Sequence, residues 1–532
     1  MYRAVLLFLM LFLLCTAPDA AQELTDETSR WFSGSGNCAF CHAAGRSALR
    51  DAAGQDVSPV HGWRASAMAH AAVDPFWQAA VRREAASHED PAAVEDKCGT
   101  CHAPAQRTEA AQDGRRFRLG DLDALGAEGV TCTVCHQIRD EGLGTEASYS
   151  GHYVIDGEAD EIFGPYENPV QMPMWRHVEY RPVYGPHVEE SALCGTCHAL
   201  FIAQPDADSR QTRMVAEQTT YLEWRASDWA RGGVSCQDCH MPVVEHETAI
   251  ARRPPWLDAR ERVWKHEFAG ANRHLLALKD ITQHASAAHR EGRLERVDAL
   301  LRSALEFESD LALRNDSLVG RIVVHNRSGH RLPTGIPYRR MWLRLRLTDG
   351  DGRLLFAGGE HPPPWPPLRA DQPPADAASR EADIRNMDAV NAAVPGGAAH
   401  SVPSREAVSR TVVRTPDDLP VYEAVMMDRA ACATDRLLAQ HGFLSDTRIL
   451  PKGYAERAYD TRAAGTDTIR IAIPLGMRCA SLRVEASMLY QPFADEVIDT
   501  FIASSQSAAL TSHDSTPAVM RTHTIILVPE DL

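Results

Sequence analysis

The sequence predicts a multidomain protein: an α-rich, irregular domain over residues 22–262, a helical hairpin over 263–315 and an all-β, sandwich-like domain over 316–532. Three observations carry this. Ten of the 13 cysteines fall between Cys38 and Cys239 in five copies of one short motif, with little strand-like alternation between them. Leucines and other apolar residues then recur at three- and four-residue steps as far as Leu313. Beyond that point short β-rich runs are separated by turn residues. At 532 residues the chain exceeds what one hydrophobic core usually serves.

The repeated motif is Cys-x-x-Cys-His: Cys38, Cys41 and His42; Cys98, Cys101 and His102; Cys132, Cys135 and His136; Cys194, Cys197 and His198; Cys236, Cys239 and His240. At this composition a given cysteine should begin such a motif by chance about once in a thousand. The spacing is the attachment signal for c-type haem. Two thiols one helical turn apart can each add to a vinyl group of one porphyrin, and the next residue offers its imidazole to the iron. On this reading the ten cysteines are thioether anchors for five covalently bound c-type haems, and His42, His102, His136, His198 and His240 are the proximal iron ligands. Two other chemistries use Cys-x-x-Cys. Half of a structural zinc site does, without needing a His after the second cysteine. A thioredoxin-like redox pair does too, usually once per fold.

The N-terminus reads as a secretory signal peptide over residues 1–21, with Arg3, an apolar run from Ala4 to Leu14 and small residues from Ala17 to Ala21. Leu14 is bulky for a lipoprotein cleavage site, which disfavours lipidation at Cys15. No later stretch suits a membrane span. Export to the periplasm or cell surface follows, and it agrees with haem attachment, which takes place outside the cytoplasm. The net charge of −17 argues against nucleic acid as a partner. It suits redox proteins with basic docking patches, either soluble or in a membrane-associated electron-transfer complex. Cys432 and Cys479 lie outside the motifs and read either as one disulfide or as two free buried thiols.

Within the first domain the macrocycles would stand in for an aliphatic core. Pro75 to Ala86 and Tyr221 to Ala230 have helical periodicity. Gly-Pro, Asn-Pro and Met-Pro breaks predict an irregular connection over 164–186. The hairpin is expected to break near Gly292. In the last domain Leu318–His325, Met341–Thr348, Leu354–Ala357, Ile469–Ile473, Leu482–Tyr490 and His523–Val528 read as strands, with a turn at Asp349–Gly352. His361 to Pro374 is a Pro-rich loop.

What fills the sixth position of each iron separates an electron carrier from a catalyst. The candidate distal ligands are His187, seven residues before Cys194; His266, after the last motif; His152, His61 and His70; Met68, which could equally be packing; His274 in reserve; and His330, in a Gly- and Pro-bounded loop of the β domain, which could equally be a turn histidine. His177, His246, His284 and His289 read as solvated.

Trp63–Trp77, Gly129–Gln137, Gln218–Trp224, Cys236–Pro242, Gly329–Gly335 and Tyr338–Trp342 together resemble the cytochrome c-552/c-554-like multihaem proteins. The resemblance implies a closely stacked haem array that relays electrons outside the cytoplasm, with a β appendage that docks partners or caps the array. Two other classes compete with it. One is a multihaem oxidoreductase acting on a small nitrogen or sulfur oxyanion at a five-coordinate haem. Nitrite reductases of similar haem count, however, typically replace a motif His by Lys, and no Cys-x-x-Cys-Lys occurs here. The other is a surface scaffold or adhesion protein whose haems are structural. The sequence assigns no catalytic residue.

Overall fold

The computed structural model describes residues 24–205, 212–278, 287–362, 364–365, 412–454, 465–505, 510 and 515–528. The leader, Cys15, most of the Pro-rich tract, His284 and the side chain of His289 lie outside the described residues.

The N-terminal half consists of short helices joined by long loops. All five motifs sit on such helices: Ser35–His42, Pro91–His102, Cys132–Cys135 with His136 as its C-cap, Ser191–His198 and Cys236–His240. Pro75–Ala86 is helical as its periodicity predicts, starting from an Asp74 N-cap that accepts from Phe76 N. Tyr221–Ala230 divides into Thr220–Arg225 and Asp228–Arg231, because the Ser227 side chain caps the second piece.

Small strand pairs brace these helices. Strands β1 (Glu161–Gly164) and β2 (Arg181–Tyr184) pair in parallel around a helix at Gln171–Val178, so the region expected to be irregular carries regular elements. Its prolines sit at strand and helix edges, where a missing N–H costs little. Strands β3 (Leu200–Pro205) and β4 (Thr212–Gln218) form a hairpin; β5 (Thr248–Ala249) and β6 (Ala259–Arg260) form a short pair.

The helical hairpin is corrected by the structure. Residues 263–272 are irregular, with Phe268 at φ +43°, Arg273–Ala277 is a short helix, and Ala287–Ser303 is one helix that continues through Gly292. Leu305–Arg314 is then strand β7. Leu305, Phe307, Leu311 and Leu313 also recur at even spacing, and pairing with β8 (Ser317–Asn326) selects that period over the helical one.

The β domain contains two sheets. One runs β11 (Val412–Val413), β14 (Thr466–Pro474), β8, β7. The other runs β13 (Gly442–Asp446), β12 (Val421–Met427), β9 (Arg340–Asp349), β15 (Leu482–Gln491), β16 (Ala518–Leu527), with β10 (Leu354–Gly358) also on β9. Leu343, Leu345 and Leu347 of β9, Val484 and Met488 of β15, Ile322 and Val324 of β8, and Ile469 and Ile471 of β14 fill one shared core. The β-rich expectation thus holds, with β7, β11, β12, β13 and a helix at Asp495–Ser504 added to the strands read from sequence. Cys432 and Cys479 are both free, with Sγ atoms facing the carbonyls of Ala430 and Met477; Cys479 is buried and Cys432 only partly so.

The two halves share a core. Phe76 and Ala79 of helix Pro75–Ala86 pack with Tyr338, Met426, Val497 and Phe501 of the β side, and the Phe76 and Phe493 rings stack at 5.0 Å. Arg436 bridges both oxygens of Glu84 at 3.2 Å, and Arg83 meets Asp435 at 2.7 Å. The β domain is therefore a fixed wall of the motif domain.

Candidate cofactor-binding site

Each motif helix places its two thiols on one side and its His at the C-terminal end. Nine of the ten motif thiols are partly accessible and Cys239 is exposed. Among the described residues no group of three His, Cys, Asp or Glu side chains converges as a metal-binding set.

Four motif imidazoles are oriented by the same device. Nδ1 of His42 donates to Ile250 O at 2.9 Å, of His102 to Ala71 O at 3.1 Å, of His136 to Phe163 O at 2.6 Å and of His240 to Ala269 O at 2.7 Å. A proton held at Nδ1 leaves the Nε2 lone pair free for a metal, the usual arrangement of a ligating histidine. Burial also keeps these rings neutral: His102 is lowered to about 4 despite the Ala71 bond, and His136 and His240 are lowered for the same reason. Burial, reinforced by His240 and Arg339, lowers His198 to about 4 as well. The indole of Trp77 stacks on His102 at 4.6 Å and 7°, fixing that ring's plane.

Two distal candidates face motif histidines. His266 lies 6.1 Å from His136, ring centre to ring centre, with 24° between planes; His330 lies 6.4 Å from His240 with 20°. Two imidazoles bound to one metal from opposite sides, each about 2 Å from it, would have centres roughly 6 Å apart. The distal rings use the same tautomer: His266 Nδ1 donates to Trp264 O and His330 Nδ1 to Arg331 O, both at 3.0 Å. Both pairs therefore have the ring spacing and the free Nε2 atoms that would suit them to hold one iron.

The irregular stretch 263–272 contributes to both pairs. Val244 N bonds Val263 O and Lys265 N bonds Pro242 O, pinning the stretch to the residues that follow Cys236–His240. From there it supplies the His266 ring and the Ala269 carbonyl.

His330 is held from the β domain. Asn326 Nδ2 and Ser328 Oγ both donate to its carbonyl, at 2.8 and 2.9 Å. The next residue, Arg331, is buried between Asp446 at 3.1 Å and the Glu223 carboxylate, which accepts from its backbone N–H. Arg448 bonds Asp446 at 2.6 Å and approaches Glu223 at 3.7 Å. Burial alone would raise Glu223, but Arg448 and Arg331 outweigh it and hold the carboxyl below its ordinary range. This ionic cluster ties the loop to helix Thr220–Arg225.

The other candidates lie elsewhere. His187 donates Nε2 to Ile138 O at 2.8 Å and meets Phe163 edge-on, beside His136. His70 has a buried Nε2 with no hydrogen-bond partner and is lowered to about 4 by burial and Arg293. His61 stands 3.7 Å from Asp56. His152 is exposed near Lys97 and Arg107, and His274 is buried in its short helix. Met68 contributes its carbonyl to Val130 N. His246 is exposed as expected, but His177 is not merely solvated: it stacks on Phe40 at 4.1 Å.

The motif helices form a branched series. Thr133 and Ser33 exchange hydrogen bonds between the first and third motifs, where the thiols of Cys38 and Cys132 touch. Cys236 N donates to Ser191 Oγ, and Gln237 reaches the carbonyls of Val188 and Glu190, joining the fifth motif to the fourth. Gly151 N bonds Thr196 O while Lys97 Nζ bonds Ser150 O, so one segment clamps the second motif to the fourth; there Cys101 touches Cys197. His187 closes the gap between the third motif and the fourth.

With this geometry known, comparison with other proteins is informative. A solved penta-heme cytochrome c552 from Thermochromatium tepidum superposes with a TM-score of 0.51 at 17% identity, over 88% of this chain and 96% of that one. The chain has the fold of a pentahaem cytochrome. No sequence-family profile and no curated protein matches the chain. Among the described residues no helix is long and apolar enough to cross a membrane.

Proposed function

We propose that the chain is an exported electron-transfer protein carrying five covalently bound c-type haems, one per Cys-x-x-Cys-His motif. The observation that carries this is the facing of His136 by His266 and of His240 by His330 at the spacing a shared iron requires. The fold likeness to a penta-heme cytochrome c552 supports it independently. When bound, each haem would supply an iron that takes up and releases one electron.

The residues' part is to orient, insulate and connect. Backbone carbonyls at Ile250, Ala71, Phe163 and Ala269 fix the tautomer and plane of four proximal imidazoles. His266 and His330 would keep two irons six-coordinate, which closes those positions to substrate and favours relay over catalysis. The contacts among motif helices give a route from the first motif through the third to the fourth, with the second and fifth branching there.

The test is the purified, exported protein. Its mass should exceed that of the processed chain by five porphyrins. Low-temperature electron paramagnetic resonance of the oxidised form should show low-spin iron for at least the third and fifth haems. A mass without the porphyrins, or bound zinc, rules the reading out. A dominant high-spin signal would move the assignment to an oxidoreductase.

A further inference from the structure

The relay reading requires a place where another protein exchanges electrons with the array, and the surface around the first motif has the makings of one. Phe40 stands between Cys38 and Cys41 and is 39% exposed. His177 stacks on its ring at 4.1 Å, and the Arg253 guanidinium lies 4.4 Å from its centre. Arg252 donates Nε to the Phe40 carbonyl at 3.0 Å and its own N–H to Cys41 O. This cluster sits directly on the attachment residues.

The helix Gln171–Val178 continues the surface. It buries none of its residues, yet it carries Met172 at 53% and Trp175 at 41% exposure, with Arg176 and His177 beside them. Apolar and aromatic area left uncovered next to arginine is what recognition surfaces are made of. Among the described residues Arg176, Arg252 and Arg253 are exposed and form no ion pair, in a chain whose net charge is −17. Among the described residues the first motif's hydrogen bonds to another motif run to the third, which places it at an end of the series.

We propose that Phe40, Met172, Trp175, Arg176, Arg252 and Arg253 form the docking surface for an acidic electron-transfer protein that exchanges electrons at the first motif. The inference rests on the relay reading and adds the partner's chemistry to it. The acidic chain as a whole calls for a basic partner; the unpaired arginines here call for the opposite. A small, partly apolar footprint with a charged rim is typical of weak redox encounters. The local charge decides the sign because screening removes distant charges beyond about 10 Å at 0.1 M salt.

The probe is a dithionite-reduced plant-type [2Fe–2S] ferredoxin, an acidic one-electron protein, mixed by stopped flow with the oxidised, haem-loaded full chain. From 0.1 M upward the second-order rate should fall as salt rises, although both proteins are acidic overall. R176E/R253E, neither of whose side chains holds a hydrogen bond among the described residues, should lower the rate at 0.1 M salt about tenfold and flatten the salt dependence above it. Trp175→Ser keeps every charge and should lower the rate at all salt concentrations. Reduction by methyl viologen should be the same in all three proteins. A wild-type rate that climbs with salt overturns the surface, as do variants that react as fast as wild type while viologen reduction is normal. Self-association lost in R176E/R253E would assign the patch to a second copy and equally overturn it. A chain that viologen cannot reduce overturns the relay and the surface together.

Discussion

His266 and His330, the proposed distal ligands, show how a main-chain carbonyl sets a ring's tautomer. Each ring donates Nδ1 to a main-chain oxygen within two residues of itself, at Trp264 and Arg331, so the local backbone sets the tautomer. Substituting either by Ala should convert one haem from low-spin to high-spin, read as a loss of one low-spin component in electron paramagnetic resonance. His330→Ala should change the fifth haem and leave the third alone. Glu217 allows a test of a different kind. It is buried on β4, and burial followed by the nearby Glu84 raises it to about 8, against the opposing pull of Lys97. A carboxyl raised above its unfolded value of 4.5 contributes stability that is full below that pH and is lost as pH climbs through about 8. Glu217→Gln should therefore melt at a higher temperature than wild type at pH 9 and nearly match it at pH 5.

At the scale of elements, the β7–β8 hairpin replaces the expected helix because its residues gain a partner strand. Leu305 pairs with Asn326 and Leu313 with Leu318, and the side chains of Leu305, Phe307 and Leu313 enter the core between the sheets. Gly320 makes that pairing possible. It adopts φ +135°, and a Cβ there would collide with the backbone of Asp310 and Leu311 on β7. Gly320→Ala should cost about 1–3 kcal/mol in chemical denaturation. The motif helices are the opposite case. They are four to twelve residues long and several bury few of their own side chains, so they hold their places through hydrogen bonds to neighbouring segments.

At the scale of the molecule, the β domain is continuous with the motif domain. Phe501 of helix Asp495–Ser504 packs at the seam against Tyr338 and Phe493, and the Glu223, Arg331, Asp446 and Arg448 cluster closes the other side of the loop that carries His330. Asp446→Asn would leave two buried guanidinium groups with one carboxylate fewer, at a cost of about 3 kcal/mol. It should also loosen His330, so the low-spin signal of the fifth haem should weaken at temperatures where wild type keeps it. Thermal melting followed together with the spin state would check both. A β domain that acted only as an appendage would show the stability loss without the spectral one.

The proposed covalent chemistry was legible from the chain alone, because Cys-x-x-Cys-His holds all its reacting residues within five adjacent positions. The β-rich character past residue 318 was also legible, since alternation and Asp-Gly turns are local signals. The meeting of His266 with His136 and of His330 with His240 was not. Eleven histidines outside the motifs lie between residues 61 and 289, and the residues flanking His330 allowed a turn histidine as readily as a ligand. His330 lies 90 positions after His240 in the chain, and only the docking of the β domain brings the rings to 6.4 Å. Which helical-looking stretch becomes a strand, which histidines meet and which arginines stay unpaired depend on contacts between distant segments. Sequence spacing records covalent neighbours, whereas an axial pair is a relation between surfaces that only the packed chain creates.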